Sequence, residues 1–227
     1  MADKISLNII AHVKSDFPEK FGIPRQSGLS TLISKIVFEP EYRVKEAFRG
    51  LSGYSHIWIL WQFSEAVRES WSPTVRPPKL GGNTRMGVFA TRSPFRPNPI
   101  AISAVRLEKI DWNSPDGPVL YVSGADIMNN TPVIDIKPYI PYADAYPEAL
   151  SGFAVDRNSG RFEVIFPEEL LEKIPEDKRN GLISVLSQDP RPGYSEDSDK
   201  IYTMSFGDKQ ISFSVSEKTV TVTAVDN

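Results

Sequence analysis

The chain has 227 residues, 26 Lys and Arg against 29 Asp and Glu for a formal charge of −3, and 40% hydrophobic content. That is enough for one large or two modest domains with a real core. Zero cysteines exclude disulfides and thiolate metal sites, and the only histidines, His12 and His56, lack metal-ligand spacing, so no metal is expected. The N-terminal apolar run is too short for a secretion signal and no run approaches a membrane span, so the expected location is cytoplasmic.

In chain order, Ile5, Leu7 and Ile9 alternate with polar Ser6 and Asn8, the pattern of a half-buried first strand. Residues 15–29 form a long connection in which Pro18, Gly22, Pro24 and Gly28 exclude a regular element. Within it, Pro24, Arg25 and Gln26 join a fixed backbone, a cation and an amide. The trio suits a ligand carboxylate or an adenine edge, or is plain surface. Residues 33–38 read as a strand. A helix is predicted from Pro40, with Val44, Ala47, Phe48 and Leu51 on one face and Gly50 as its cap. Tyr54–Phe63 is nearly unbroken apolar and strand-favouring, and is expected to be a central strand buried on both faces. His56 interrupts it, either as a satisfied core residue or as part of a pocket.

The stretch 71–107 holds six prolines, the pair Gly81-Gly82 and six cations (Arg76, Lys79, Arg85, Arg92, Arg96 and Arg106) with no carboxylate. That leaves 20 basic against 29 acidic residues elsewhere. Clustered like charge costs self-repulsion that an anionic ligand relieves, so the stretch reads as a docking surface for an anion, the alternative being solvated loop arginines. Prolines stiffen the backbone that carries these arginines and lower the entropy cost of binding. Arg85–Thr91 is predicted as a strand, with Arg92 at its end.

Strands are predicted over 100–110, 118–124 and 133–136, with a turn at 126–131. Asp135, Lys137 and Tyr139 fall two apart, on one face of a strand; the row is either catalytic or a plain ion pair. From about Pro147 the texture changes: a short strand over 161–166, two helical segments, then three alternating strands near the end. In Gln188–Tyr194, Arg191 and Tyr194 are set between prolines to grip RNA phosphate and stack on a base, or to brace a dimer. Neither a G-x-G-x-x-G nor a phosphate-loop motif is present. The expected fold is therefore mainly β: an antiparallel, non-Rossmann β-barrel over 1–145 with closed edges, then a small α+β domain over 146–227.

RPPKLGGNTRMGVFATRSPFRPNPIAIS, with GLSGYSHIWIL upstream and ADIMNNTPVIDIKPYIPYADA and QDPRPGY downstream, closely resembles the TrmO (TsaA/YaeB) family of tRNA methyltransferases. The resemblance implies an S-adenosylmethionine-dependent homodimeric enzyme that methylates N6 of threonylcarbamoyl-adenosine at tRNA position 37, with the cofactor on the barrel. It implies Pro24, Arg25, Gln26, His56, Ile57, Arg92 and Leu107 as cofactor walls around Asp126, Ile127, Met128 and Asn129. Arg76, Arg85 and Arg96 are better placed to meet RNA. Where the family tends to carry Asp-Gly-Thr-Pro, this chain has Asn129-Asn130-Thr131-Pro132; asparagine tolerates positive φ, so the loop shape is expected to survive without an aspartate at 129. The competing reading is a non-catalytic RNA- or nucleotide-binding barrel, which binds without turnover.

Overall fold

A computed structural model describes residues 4–68, 70–80, 82–154, 161–191 and 200–227. Its first half is built on β1 (Ala11–Lys14), β2 (Ile33–Phe38), β3 (His56–Gln62), β4 (Thr74–Val75), β5 (Met86–Gly87), β6 (Ile100–Asp111), β7 (Val119–Ser123) and β8 (Pro132–Pro138). Six of these close an antiparallel barrel in the order β1-β2-β7-β6-β3-β8, while β4 and β5 form a separate two-stranded ribbon. Closure leaves the barrel no free edge, and the pleat directs alternate residues inward. Ile57, Ile59 and Trp61 of β3 thus meet Ile36, Val105, Leu120 and Val122 in one core.

Four sequence expectations are corrected. Residues 4–10 are not a strand; Ile5 and Leu7 lie exposed, because barrel pairing begins only where the Ile10 amide reaches the Val133 carbonyl at 2.9 Å. The predicted helix after Pro40 is three short 3-10 turns, Pro40–Tyr42, Lys45–Phe48 and Leu51–Gly53. Gly50, at φ 85°, breaks the helical path, and among those turns only Phe48 is buried, edge-on to Phe38 at 4.7 Å. β3 is buried on one face, since His56, Trp58, Leu60 and Gln62 point outside the barrel. Finally, the segment before Arg92 is the two-residue β5 followed by a 3-10 turn, Val88–Ala90, and not a strand reaching Thr91.

After the short helix α1 (Pro141–Asp144), β9 (Glu163–Ile165), α2 (Glu168–Leu171) and α3 (Glu176–Leu186) lead into β10 (Tyr202–Phe206), β11 (Lys209–Ser216) and β12 (Thr219–Asp226). The sheet runs β10-β11-β12-β9, with β9 parallel to β12. Its core also takes Phe17 and Leu32 from the long connection between β1 and β2. Leu32 rests on α3 where Gly181 has no side chain: a Cβ there meets Leu32 Cδ2 at 2.4 Å. Alanine in a helix interior normally adds about 1 kcal/mol over glycine. Here overpacking reverses the sign, and Gly181→Ala is expected to destabilise by about 1–3 kcal/mol in a denaturant melt. No loss would show that Leu32 moves freely.

Candidate functional site

The rim of the barrel where β3 ends and β6 begins opens into a cavity of about 650 Å³, within the range of small-ligand sites. Its floor is one hydrogen-bonded chain. Trp61, buried and inward on β3, donates its indole N–H to Ser103 Oγ at 3.0 Å, and Ser103 donates in turn to Asp126 Oδ1 at 2.6 Å. Ser103 faces inward on β6 opposite Ile59, so the pleat buries a hydroxyl among apolar neighbours and holds it between these two partners. Burial pushes the Asp126 carboxyl above its ordinary range; the Ser103 hydrogen bond and the charge of Arg92 act in the opposite direction.

Two loops complete the walls. Pro24, Arg25 and Gln26 come from the β1–β2 connection, which lies directly on the β7–β8 turn: the Gly28 amide donates to the Gly124 carbonyl at 2.8 Å, and a Cβ at Gly124, φ 81°, meets Gly28 Cα at 3.1 Å. Thr91, Arg92, Pro94, Phe95 and Arg96 come from the basic stretch. Arg92 donates to Gln26 Oε1, linking the two loops across the opening. Arg96 donates to the Thr91 carbonyl at 3.1 Å, and Arg68 sits 3.8 Å over the Phe95 ring.

Of the predicted residues, Pro24, Arg25, Gln26, Arg92, Arg96, Asp126 and Met128 therefore gather at one cavity. Ile127 is fully buried in the barrel core beside it. Asn129 serves the turn, accepting from the Ser15 amide at 3.2 Å, and Asn130 takes the positive φ of 62°, the loop-shape role anticipated for asparagine in this turn. His56, Ile57 and Leu107 lie elsewhere. Ile57 and Leu107 are core residues, and His56 faces outward at the far end of β3, beside Tyr139 and bonded to Ser55 Oγ. Asp135 and Lys137 form a 2.8 Å ion pair on the outer surface; with Tyr139, they stand outside the cavity lining. Arg76 and Arg85 belong to the β4–β5 ribbon and its flank, where Arg85 donates to Thr74 Oγ1 at 2.9 Å.

The C-terminal domain reaches the site through Arg25. Its guanidinium donates to the carbonyls of Asp189 and Arg191 at 3.1 and 2.9 Å, and Gln188 donates to the Leu29 carbonyl at 3.0 Å. The Arg191 fork closes on Asp189 at 2.7 and 3.0 Å. Tyr194 lies outside the described residues. Trp61, Phe63 and Glu65 in the lining, and Ser103 behind it, were not anticipated as site residues. The one available signal was Ser103, a small polar residue at an inward position of an apolar strand.

A family model described as the tRNA-methyltransferase O N-terminal domain matches residues 12–145, and one described as the TrmO C-terminal domain matches 159–227. The chain is 38% identical over 226 residues to the Escherichia coli (strain K12) tRNA (adenine(37)-N6)-methyltransferase, covering 96% of both chains. It is 41% identical over 172 residues to a putative S-adenosylmethionine-dependent methyltransferase, RcsF, of Pseudomonas aeruginosa, covering 75% of this chain and 69% of that one. A TrmO crystal structure from P. aeruginosa superposes with a TM-score of 0.81 at 31% identity, covering 100% of this chain and 99% of that one.

Proposed function

The chain belongs to the tRNA-methyltransferase O family, and from that premise we propose how its own residues carry the reaction. The protein is an S-adenosylmethionine-dependent methyltransferase acting on N6 of adenine 37 of tRNA. We read the substrate base as one bearing the threonylcarbamoyl group, whose carboxylate suits Arg96 on the cavity wall.

The cavity fits the cofactor by chemistry: Trp61, Phe63 and Phe95 offer apolar ring surface, Asp126 a desolvated carboxylate for positive charge, and the Gln26–Arg92 pair donors for a carboxylate. The cofactor supplies an activated methyl on sulfur with its own leaving group, so little acid–base chemistry is required of the protein. The chain's task is alignment and water exclusion. Ser103 fixes the carboxylate of Asp126, the Gly28–Gly124 contact fixes the Pro24–Gln26 wall, and Arg92 holds that wall to the basic loop. The observation that carries the reading is this convergence of Asp126, Gln26 and Arg92 on one cavity. It is tested by incubating the protein with methyl-labelled S-adenosylmethionine and threonylcarbamoyl-bearing tRNA; label on N6 of adenine 37 is expected, and binding without transfer would leave only a binding module.

A homodimer, acting in the cytoplasm, is part of the reading. His56 and Trp61 are five residues apart on one strand, about 17 Å, so a cofactor seated over Trp61 does not meet His56 of its own chain. The outer face of β3 and β6 carries Leu60 opposite Ile102, and Ile100 and Ile102, which also line the edge of the cavity, are 37% and 51% exposed. A second copy covering this face gives His56 a place at the site. Leu60→Glu, outside the cavity lining, is expected to give monomers by light scattering with weakened cofactor binding. A variant that stays dimeric, or a wild-type monomer, would count against this arrangement.

A further inference from the structure

Beside the cavity, the β4–β5 ribbon carries two large aromatic side chains out of any core: Trp71 is 50% exposed and Phe89 72%. Their ring centroids are 6.1 Å apart with the planes 33° from parallel, so they contact each other and form one continuous surface with no slot between them. Exposed aromatic area of this kind marks an interaction site. Resting on the reading of the protein as a tRNA methyltransferase, we propose that Trp71 and Phe89 form a stacking platform for an unpaired anticodon-loop base next to the target adenine.

The platform is built before any ligand arrives. Trp71 precedes β4 and Phe89 follows β5, and the two strands hold them in register through the Thr74–Gly87 and Val75–Met86 pairs. The Val88 amide donates to the Pro73 carbonyl at 2.9 Å, Ser72 Oγ to the Thr74 carbonyl at 2.9 Å, and Arg85 ties the ribbon by its bond to Thr74. Val88 itself is 1% exposed and pins the turn that carries Phe89. Rings fixed in this way lose little conformational entropy when a base settles on them.

Charge selects the partner. Arg85 is bonded into the ribbon and Arg92 and Arg96 line the adjoining cavity, whereas Arg106 of the same stretch pairs with Glu108 at the far end of β6; the cations beside the rings match a phosphate backbone and not the mixed charge of an ordinary protein surface. Aromatic rings interleaved with arginines are the means by which single-stranded RNA is held, since each base has a face to stack and each link an anion. Position selects the base: Phe89 is two residues from Thr91 on the cavity wall, no more than about 8 Å along the backbone. A nucleotide stacked there neighbours one whose base enters the cavity.

The test titrates the full-length protein with threonylcarbamoyl-bearing tRNA and with the same tRNA abasic at the nucleotides flanking position 37. Trp71→Ala and Phe89→Ala are each expected to weaken tRNA binding about tenfold, with the KM for S-adenosylmethionine unchanged, while Trp71→Phe keeps most of the affinity. The abasic tRNA should bind the wild type as weakly as intact tRNA binds Trp71→Ala, and lose nothing further with that variant. Salt separates stacking from charge: Arg85→Ala lowers the slope of log affinity against log salt by about one, and Trp71→Ala leaves it alone. Unchanged affinity in Trp71→Ala and Phe89→Ala overturns the platform while the methyltransferase reading stands. A change in sedimentation with these variants alone means that a second copy covers the rings, and overturns it too. Failure of the wild type to bind or methylate tRNA removes both readings together.

Discussion

Arg92→Lys and Arg92→Ala are both expected to lose most methyl transfer while keeping the wild-type melting temperature. Arg92 has one end of its guanidinium on Gln26 Oε1, lines the cavity, and lowers the energy of the Asp126 carboxylate by its charge. A planar fork can hold the Gln26 wall with one nitrogen and meet a ligand carboxylate with others; an ammonium on a flexible stem offers the charge alone. Arg92 is exposed in the free protein, and a hydrogen bond to a charged group contributes about 1.5–3 kcal/mol, so single-turnover rates with saturating tRNA should fall by about ten- to a hundredfold. The fold should not suffer, because Arg92 sits on a loop outside both cores. Equal methylation rates for wild type and Arg92→Lys would reduce Arg92 to one charge in a diffuse basic surface.

Replacement of Asp126 by asparagine separates stability from activity. Burial raises the Asp126 carboxyl in the folded state, so the folded protein binds that proton more tightly than the unfolded chain does. Stability therefore falls as pH rises from the ordinary carboxylate range through the raised folded value, and the penalty is complete above that value. The asparagine amide keeps an acceptor for the Ser103 hydroxyl and removes the desolvated charge, so Asp126→Asn should melt higher than wild type once pH exceeds the raised folded value, and the difference should vanish in acid. Cofactor affinity should move oppositely, falling by about tenfold or more as the positive charge of the ligand loses its partner. The same titration predicts that wild-type cofactor binding weakens on acidification as Asp126 takes up its proton. A variant that melts lower at neutral pH, or binds cofactor like wild type, would show that the carboxylate is a structural acceptor only.

Which residues were legible depended on the range of the interaction that places them. Strands such as Ile33–Phe38 and Ile100–Asp111 were readable because pleat alternation is local, and the closed antiparallel barrel followed from many such strands separated by turns. The segregation of Arg76, Arg85, Arg92 and Arg96 was readable from charge counting alone. The three 3-10 turns after Pro40 were not, because periodicity of 3.6 and a broken run with one buried ring share the same apolar residues. Nor was the second use of Arg25, which lines the cavity as the family resemblance implies. The fold sends its guanidinium more than 160 positions along the chain, to the carbonyls of Asp189 and Arg191.

By itself, then, the sequence determined the barrel class, the absence of cysteine and thiolate chemistry, the basic stretch and, through long residue-rich blocks, the family. Tertiary structure alone decided that Gln26, Arg92 and Asp126, as many as a hundred residues apart, meet at one cavity, and that His56 and Ile57 do not. It also decided that Phe17 and Leu32 belong to the second core, Phe17 edge-on to Phe206 and Leu32 so close to Gly181 that a methyl group there would crowd it. The physical reason is that hydrophobic periodicity and turn chemistry act over a few residues, whereas barrel closure and loop docking are set by register between strands that no local pattern encodes.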